Sequence, residues 1–395
     1  MDDSHSDRDR IYLDHLSKLA CDPDLRIFAV MDGAFFQNVN ANLRDAGLAS
    51  RALYLHRGNQ AVVIGGPWLI NPYQHNTAVD PQPPAWTAIS EEERASGKSD
   101  SEIYADRMQA ALDAGDETGG GMLSVDDVEN VSGTIARLEA ILRIADGKPG
   151  LVFWIGDASL TEDVLFSHLR RLNKILVPND SIDDEVTDEL LEAAADAEEI
   201  LVAKENDAYE LVVFRHADAN VMAQVFPALN EVQAARLFGP CHQLLFAPDP
   251  DWSGGIKRAR KPNDLPAPPS GPLRWEPETI RAIKAQRMEA SRRKVMSYLR
   301  EVDPNAGELS DAELRQRVLI YEASGDTIGL QSERAHMKWA YLMSITDGKA
   351  DSDGIAKAYF QKNSKHPDDA IDDVLDALDE AAGDHWNRFW QGAAR

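Results

Sequence analysis

Cysteine is almost missing from this chain: 395 residues hold only Cys21 and Cys241. Two thiols cannot build a disulfide framework or a cysteine zinc site, and such scarcity suits a reducing compartment in which both stay free. Long apolar runs are missing too, since nothing approaches the roughly 18 residues of a membrane span. Met1–Arg10 is polar and Asp-rich, without the apolar centre of a signal peptide. Positive charge is scarce: 41 Lys and Arg face 67 Asp and Glu, a formal charge of −26. An acidic surface of that kind is repelled by nucleic acid and by anionic membranes unless it carries a local basic face. The expectation is a cytoplasmic protein with neither nucleic acid nor membrane as partner.

Recognisable catalytic spacing is also missing. The chain has no phosphate-binding G-x-x-x-x-G-K-[ST], no G-x-S-x-G nucleophile turn and no H-E-x-x-H zinc helix. The ten histidines are scattered, and His168 and His242 read as structural. Asp351-Ser352-Asp353-Gly354 lacks the remaining oxygen ligands of a calcium loop and reads as a helix cap. Asp32 ends an apolar strand, where aspartyl-phosphate enzymes place a nucleophile. Those enzymes also need a second Asp two residues on, and that position is Ala34. Asp32-Gly33 therefore reads as a turn. A phosphatase-like hydrolase built on Asp32 stands as the alternative to a non-enzyme that needs no cofactor and no metal.

What is present divides the chain in two. From 26 to 250 strand-like and helix-like segments alternate. Arg26–Met31 reads as a strand, Phe35–Ala46 as a helix stopped by Gly47, and Arg51–Leu55 and Gln60–Ile64 as two strands around Arg57-Gly58-Asn59. Trp68–Ile70 resumes the strand pattern. Further on, Asp126–Ala145 and Thr161–Asn173 carry apolar residues at helical spacing. Leu151–Ile155, Lys174–Val177, Ile200–Ala203, Tyr209–Arg215 and Gln243–Ala247 read as strands, and Asp218–Leu229 and Asn230–Phe238 as helices. This order predicts an α/β lobe, a mixed sheet with helices packed on it. Residues 71–122, with a weak helix at Asp100–Ala114, and residues 178–205, with a helix at Asp184–Ala197, read as insertions, while 1–25 reads as a polar leading segment.

After residue 250 the composition shifts. Eight prolines fall within 248–277, so 251–275 reads as an extended linker. From 276 to 395 only helical patterns occur, an all-α lobe with segments at Pro277–Glu301, Ser310–Ala323, Ser332–Thr346, Asp353–Gln361, Asp368–Ala382 and Asp384–Trp390. Ser310 and Glu313 have the spacing of a capping box. The linker is also the basic part of the chain, for 251–300 hold twelve Lys or Arg against five Asp or Glu. Between Pro178 and Ala203, by contrast, stand ten acidic residues and no basic one. The two stretches are expected to attract one another weakly, Arg292, Arg293 and Lys294 included, in a way that salt screens.

Several segments in fixed order resemble one known family. They are Ala29-Val30-Met31-Asp32-Gly33-Ala34, Gly66-Pro67-Trp68-Leu69-Ile70, Ser167-His168-Leu169-Arg170-Arg171-Leu172, Leu176-Val177-Pro178, Val213-Phe214-Arg215, Phe226-Pro227-Ala228-Leu229 and Phe238-Gly239-Pro240. Over 26–247 they resemble the bacterial adaptors of type VI secretion called Tap or TEC, first catalogued as a domain of unknown function. The family often continues Phe-Arg-Phe-Tyr-Asp-Pro where this chain has Phe214-Arg215-His216-Ala217-Asp218-Ala219. The resemblance implies a cytosolic, non-catalytic chaperone that binds a toxic effector through its amino-terminal or PAAR-linked region and loads it on the VgrG spike. Asp32, Trp68, Arg170, Arg171, Arg215 and Asp218 are the candidate partner-binding residues. Arg suits such contacts because its planar fork holds carboxylates in fixed geometry. In the plainer reading Arg170 and Arg171 are solvated, and Arg215 pairs with Asp218 at a helix start.

Overall fold

The computed structural model describes residues 3–54, 60–75, 131–179, 208–268, 271–348, 350, 360 and 366–382. The helices expected at Asp100–Ala114, Asp184–Ala197 and Asp384–Trp390, the strand at Ile200–Ala203 and nearly all of Asp353–Gln361 lie outside these residues.

The chain forms two compact units. One comprises Met1–Asp249 with Gly254–Ile280, the other Pro250–Ser253 with Arg281–Arg395. The first is an α/β lobe of mixed sheets and helices, and the second is all-helical, as the residue pattern predicts. In chain order the first runs α1 (Asp3–Ala20), β1 (Leu25–Asp32), a 3-10 turn (Gly33–Phe35), α2 (Val39–Asp45), β2 (Leu48–Ala52), α3 (Gln60–Gly65), β3 (Pro67–His75) and α4 (Val131–Ala145). It continues with β4 (Leu151–Asp157), α5 (Glu162–Leu172), β5 (Lys174–Pro178), β6 (Tyr209–Val213), α6 (Ala219–Val225), α7 (Glu231–Phe238), β7 (Gln243–Phe246), β8 (Lys257–Arg260) and β9 (Leu273–Arg274).

Six strands make the main sheet in the order β2-β3-β1-β4-β7-β8, with every neighbouring pair antiparallel. A second sheet has the order β6-β5-β9, and its β5–β9 pair is parallel. Side chains alternate across a strand, so β1 sends Ile27, Ala29 and Met31 to one face and Phe28 and Val30 to the other. The first face is covered by α1 and α4, whose Tyr12, Leu16, Leu138 and Ile141 join a core with Phe153, Ile155 and Trp68. On the second face Trp154 of β4 meets His168 of α5 edge to face, ring centroids 6.1 Å apart.

Three expectations need correction. Residues 1–25 are not merely a polar leader: Tyr12 and Leu16 of α1 are 3% and 0% exposed, and the Tyr12 hydroxyl donates to the Leu245 carbonyl at 3.0 Å. Gln60–Gly65 is helical, although Val62, Val63 and Ile64 form a β-branched run, because tertiary packing overrides propensity in so short a segment. Residues 251–275 are not a free linker. β8 adds an outer strand to the main sheet, β9 pairs with β5, and the division between units falls at Ile280, inside the next helix. The prolines flank these strands rather than interrupt them, which an edge position tolerates.

The helical unit contains most of α8 (Pro277–Val302), then α9 (Pro304–Gly307), α10 (Asp311–Ile328), α11 (Glu333–Ile345) and α12 (Pro367–Ala382). Leu299, Val318, Tyr321, Trp339 and Ile371 are among its core residues. The Ser310/Glu313 capping box forms, and Gly329 ends α10 in the left-handed region at φ 89°. The cations expected to reach toward the acidic stretch are engaged within this unit. Arg292 bonds Glu322 at 2.7 Å and also Glu289, Lys294 pairs with Glu333 at 3.1 Å, and Arg293 donates to the Asp251 carbonyl at 2.7 Å.

The buried role of α1 gives a direct check. Leu16→Ala should cost about 2–4 kcal/mol, the usual loss at a packed leucine that leaves a cavity. Ile11→Ala, at a position 48% exposed, should stay within about 0.5 kcal/mol. Thermal melts of the two variants compare them directly.

Candidate functional site

The apolar run of β1 stops at Asp32, and its carboxylate turns back on its own backbone. Oδ1 accepts the Ala34 N–H at 3.0 Å and so caps the Gly33–Phe35 turn. The turn is pressed against neighbouring chain. The Gly33 N–H donates to the Gly66 carbonyl at 2.9 Å, and a Cβ at Gly33 would stand 2.0 Å from the Ile64 carbonyl oxygen. Only glycine fits there. The Asp32 N–H donates to the Gly150 carbonyl at 3.0 Å, and the Ala219 N–H to the Pro149 carbonyl at 2.7 Å. Four separate segments therefore converge at this end of the sheet.

The fourth segment follows β6. Asp218 starts α6 and its Oδ1 accepts the N–H groups of Asn220 at 2.9 Å and Val221 at 3.4 Å, an N-cap. Arg215, three residues earlier, bridges both acids. Its Nε and one terminal nitrogen lie 2.9 Å from Asp32 Oδ2, and the other lies 3.4 Å from Asp218 Oδ2. The guanidinium sits 5.2 Å from the centroid of the Phe35 ring, close enough for a cation–π contact. Both aspartates are buried, whereas the Arg215 side chain is 43% exposed.

Burial raises both carboxyls above the usual carboxylate range, and Arg215 pulls them back only in part. Two acids share one cation, so desolvation outweighs attraction. Burial also raises the neighbouring Tyr54 phenol, with the Asp32 charge adding to the effect. In chemical terms the arrangement is a clasp. Both Asp32 oxygens are engaged, one by Ala34 and the other by Arg215. Around it the surface offers exposed Ala34, half-buried Phe35 and Phe36, and Lys148, whose ammonium lies 5.0 Å from the centroid of the Phe36 ring.

Of the residues singled out in the sequence, the structure brings together Asp32, Arg215 and Asp218. Trp68 stands elsewhere. It is 5% exposed, opposite Met31 in the ladder, with its indole N–H 3.4 Å from the Ile64 carbonyl. It is a core residue rather than a contact residue. Arg170 and Arg171 close α5, where Arg170 lies 5.9 Å from the centroid of the Phe166 ring and Arg171 is exposed. Arg51 lies nearer the same ring, 3.5 Å from its centroid, and pairs with Asp163 at 3.0 Å.

Sequence reasoning missed Asn173 and His216. Asn173 Nδ2 donates to the Leu53 carbonyl at 2.9 Å, which turns its Oδ1 toward His216 Nε2 at 3.0 Å. His216 therefore donates from Nε2, leaving Nδ1 buried with no partner among the described residues. Burial depresses His216 to about 3 and His168 to about 4. Cys241 is a buried free thiol raised by burial, and Cys21 is exposed and free. Among the described residues no group of three or more His, Cys, Asp or Glu is placed to hold a metal ion, and no helix is long and apolar enough to cross a membrane.

In comparisons with models of protein families, with curated proteins and with solved structures, nothing matches this chain.

Two stability measurements follow. Arg215→Ala leaves two buried carboxylates without their cation. It should cost about 2 kcal/mol near neutral pH, below the value for a fully buried pair because Arg215 is half exposed. The acids can take protons instead, so the loss should shrink as pH falls toward 5. The histidines act in the opposite sense. Unfolded, each binds a proton below its ordinary 6.5, whereas folded they resist until about 4 and about 3. Folding is thus penalised progressively as pH drops below 6.5, and His216→Gln should flatten that slope in melts between pH 7 and 4.5.

Proposed function

We propose that this chain is a cytosolic, non-catalytic adaptor that holds a type VI secretion effector and delivers it to the VgrG spike. One observation carries the reading. Three of the seven short segments that resemble the adaptor family, far apart in the sequence, meet in space: Asp32-Gly33-Ala34, Gly66-Pro67 and Phe214-Arg215 are joined by the 2.9 Å bonds from Gly33 to Gly66 and from Arg215 to Asp32. Motifs held for fold alone need not gather at one end of a sheet beside exposed Ala34 and half-buried Phe35 and Phe36. The cargo is held on Ala34, Phe35, Phe36 and Lys148, with the exposed side of Arg215 as an orienting donor. Asp32 and Asp218 position Arg215 and do not touch cargo.

The hydrolase alternative needs a free carboxylate oxygen at Asp32 and a proton-transferring acid beside it. Both oxygens are committed to other bonds, and the position that would supply the second acid is Ala34, so the adaptor reading is preferred.

Co-expression with the toxin encoded beside this gene tests the proposal. The toxin should co-purify with the chain, become less soluble without it, and fail to be secreted from a strain that lacks it. Lys148→Glu should weaken capture by about tenfold without changing the melting temperature. A toxin equally soluble and equally secreted in the deletion strain would remove the adaptor reading. Turnover of a phosphate ester that Asp32→Asn abolishes would restore the hydrolase.

A further inference from the structure

Among the described residues the outer strand β8 is a short, basic, open edge: the main sheet ends with it, and its one strand partner is β7. The Lys261 N–H donates to the His242 carbonyl at 2.8 Å. In an antiparallel ladder the inward groups recur every second residue. The N–H and C=O of Arg258 and Arg260 therefore face away from β7. Their side chains are exposed, while Lys257 and Ala259 on the other face are half-buried.

Charge makes this edge unusual. In a chain with 67 acidic residues, Arg258, Arg260 and Lys261 have no carboxylate within ion-pairing distance among the described residues. Arg258 bonds the neutral Gln243 side chain at 2.5 Å, and Lys261 bonds the Gly239 carbonyl at 2.8 Å. Many arginines elsewhere are paired, for Arg51, Arg143, Arg215, Arg274, Arg292 and Arg315 each meet a carboxylate, whereas Arg26 and Arg293 bond backbone carbonyls.

We infer that β8 is a docking edge for an extended acidic segment of a partner protein, which adds a seventh antiparallel or parallel strand beside Arg258 and Arg260. Open backbone groups supply the affinity of strand addition, and side chains of alternate parity supply its selectivity. Cations on an edge discourage pairing with neutral or basic strands, and the same cations admit an acidic one, since opposite charges directly across a sheet attract. Length is limited by the flanks. Ser253, Gly254 and Gly255 all have positive φ before the strand, and Pro262 follows it. The seat is therefore about four to six residues long. This inference rests on the edge alone and does not depend on the secretion reading.

The probe is a fluorescein-labelled octapeptide of alternating Glu and Val, titrated with the full chain at about 0.15 M salt and read by anisotropy. A Glu-Pro octapeptide carries the same charge but cannot pair as a strand, and a Lys-Val octapeptide reverses the charge. The Glu-Val peptide should bind, and the other two should not. The double variant Arg258→Ala/Arg260→Ala should weaken it by about tenfold or more. Arg260→Pro removes an outward N–H without touching the β7 ladder, and should weaken it more than Arg260→Ala does. Equal binding of the Glu-Pro peptide would reduce the edge to a patch of charge and overturn the inference. So would binding that appears only after the acidic residues of 180–199 are neutralised, because the edge would then be the seat of the chain's own segment. Should Arg260→Pro fail to fold, the Glu-Pro comparison on the unaltered chain still decides.

Discussion

Arg215 carries charge for two buried acids, and the end of the α/β lobe is arranged around that imbalance. Asp32 belongs to the last position of β1, Asp218 to the start of α6, and no backbone ladder joins the two. The guanidinium does so with a planar fork that reaches Asp32 through two nitrogens and Asp218 through the third. One cation cannot neutralise two anions, so backbone N–H groups from Ala34, Asn220 and Val221 share the load. The remaining desolvation still leaves both acids with raised proton affinity. Geometry fixed this tightly at a sheet end is a support for what lies on top of it. Phe35 is held between the Arg215 guanidinium and Gly150, where even a Cβ would come within 2.6 Å of the ring.

How much of this was written in the sequence depends on the range of the interaction. Strands β1 and β4 were legible because both faces are covered and their residues form unbroken apolar runs. The capping box of α10 was legible because its two partners stand three residues apart, and so was the Arg215–Asp218 pair. The Asp32–Arg215 bond spans 183 residues, and nothing local announces it. Helix α1 was missed because its inward stripe is thin, with Tyr12 and Leu16 set among charged residues. Asn173 and His216 were invisible for another reason: a buried amide and imidazole satisfy one another only after two strands have paired. Proline count misled at 251–275, since composition reports where a ladder cannot continue and says nothing of the four residues between the breaks.

The chain uses its arginines in two ways. In the helical unit Arg292 sits among Glu289 and Glu322, and Arg315 also reaches Glu289 at 2.8 Å. These pairs close on themselves, and half-exposed pairs contribute little individually. At β8 the same residue type has no acid within ion-pairing distance among the described residues. Partition of this kind cannot follow from composition, because a surplus of 26 negative charges gives every arginine an acid to spare.

That surplus also decides what an edge of this sign can select. At long range the chain repels any acidic segment, but the repulsion decays over about 8 Å at physiological ionic strength. Arg258 and Arg260 act within that distance, where a backbone ladder has already fixed the approach of the incoming strand. A flexible acidic chain that cannot extend meets the repulsion and gains no ladder. A neutral strand gains the ladder but leaves two guanidinium groups without a counter-charge beside it. Only a segment that is both extended and acidic gains from both, so the net charge of the whole protein and the local charge of one strand work together as a filter.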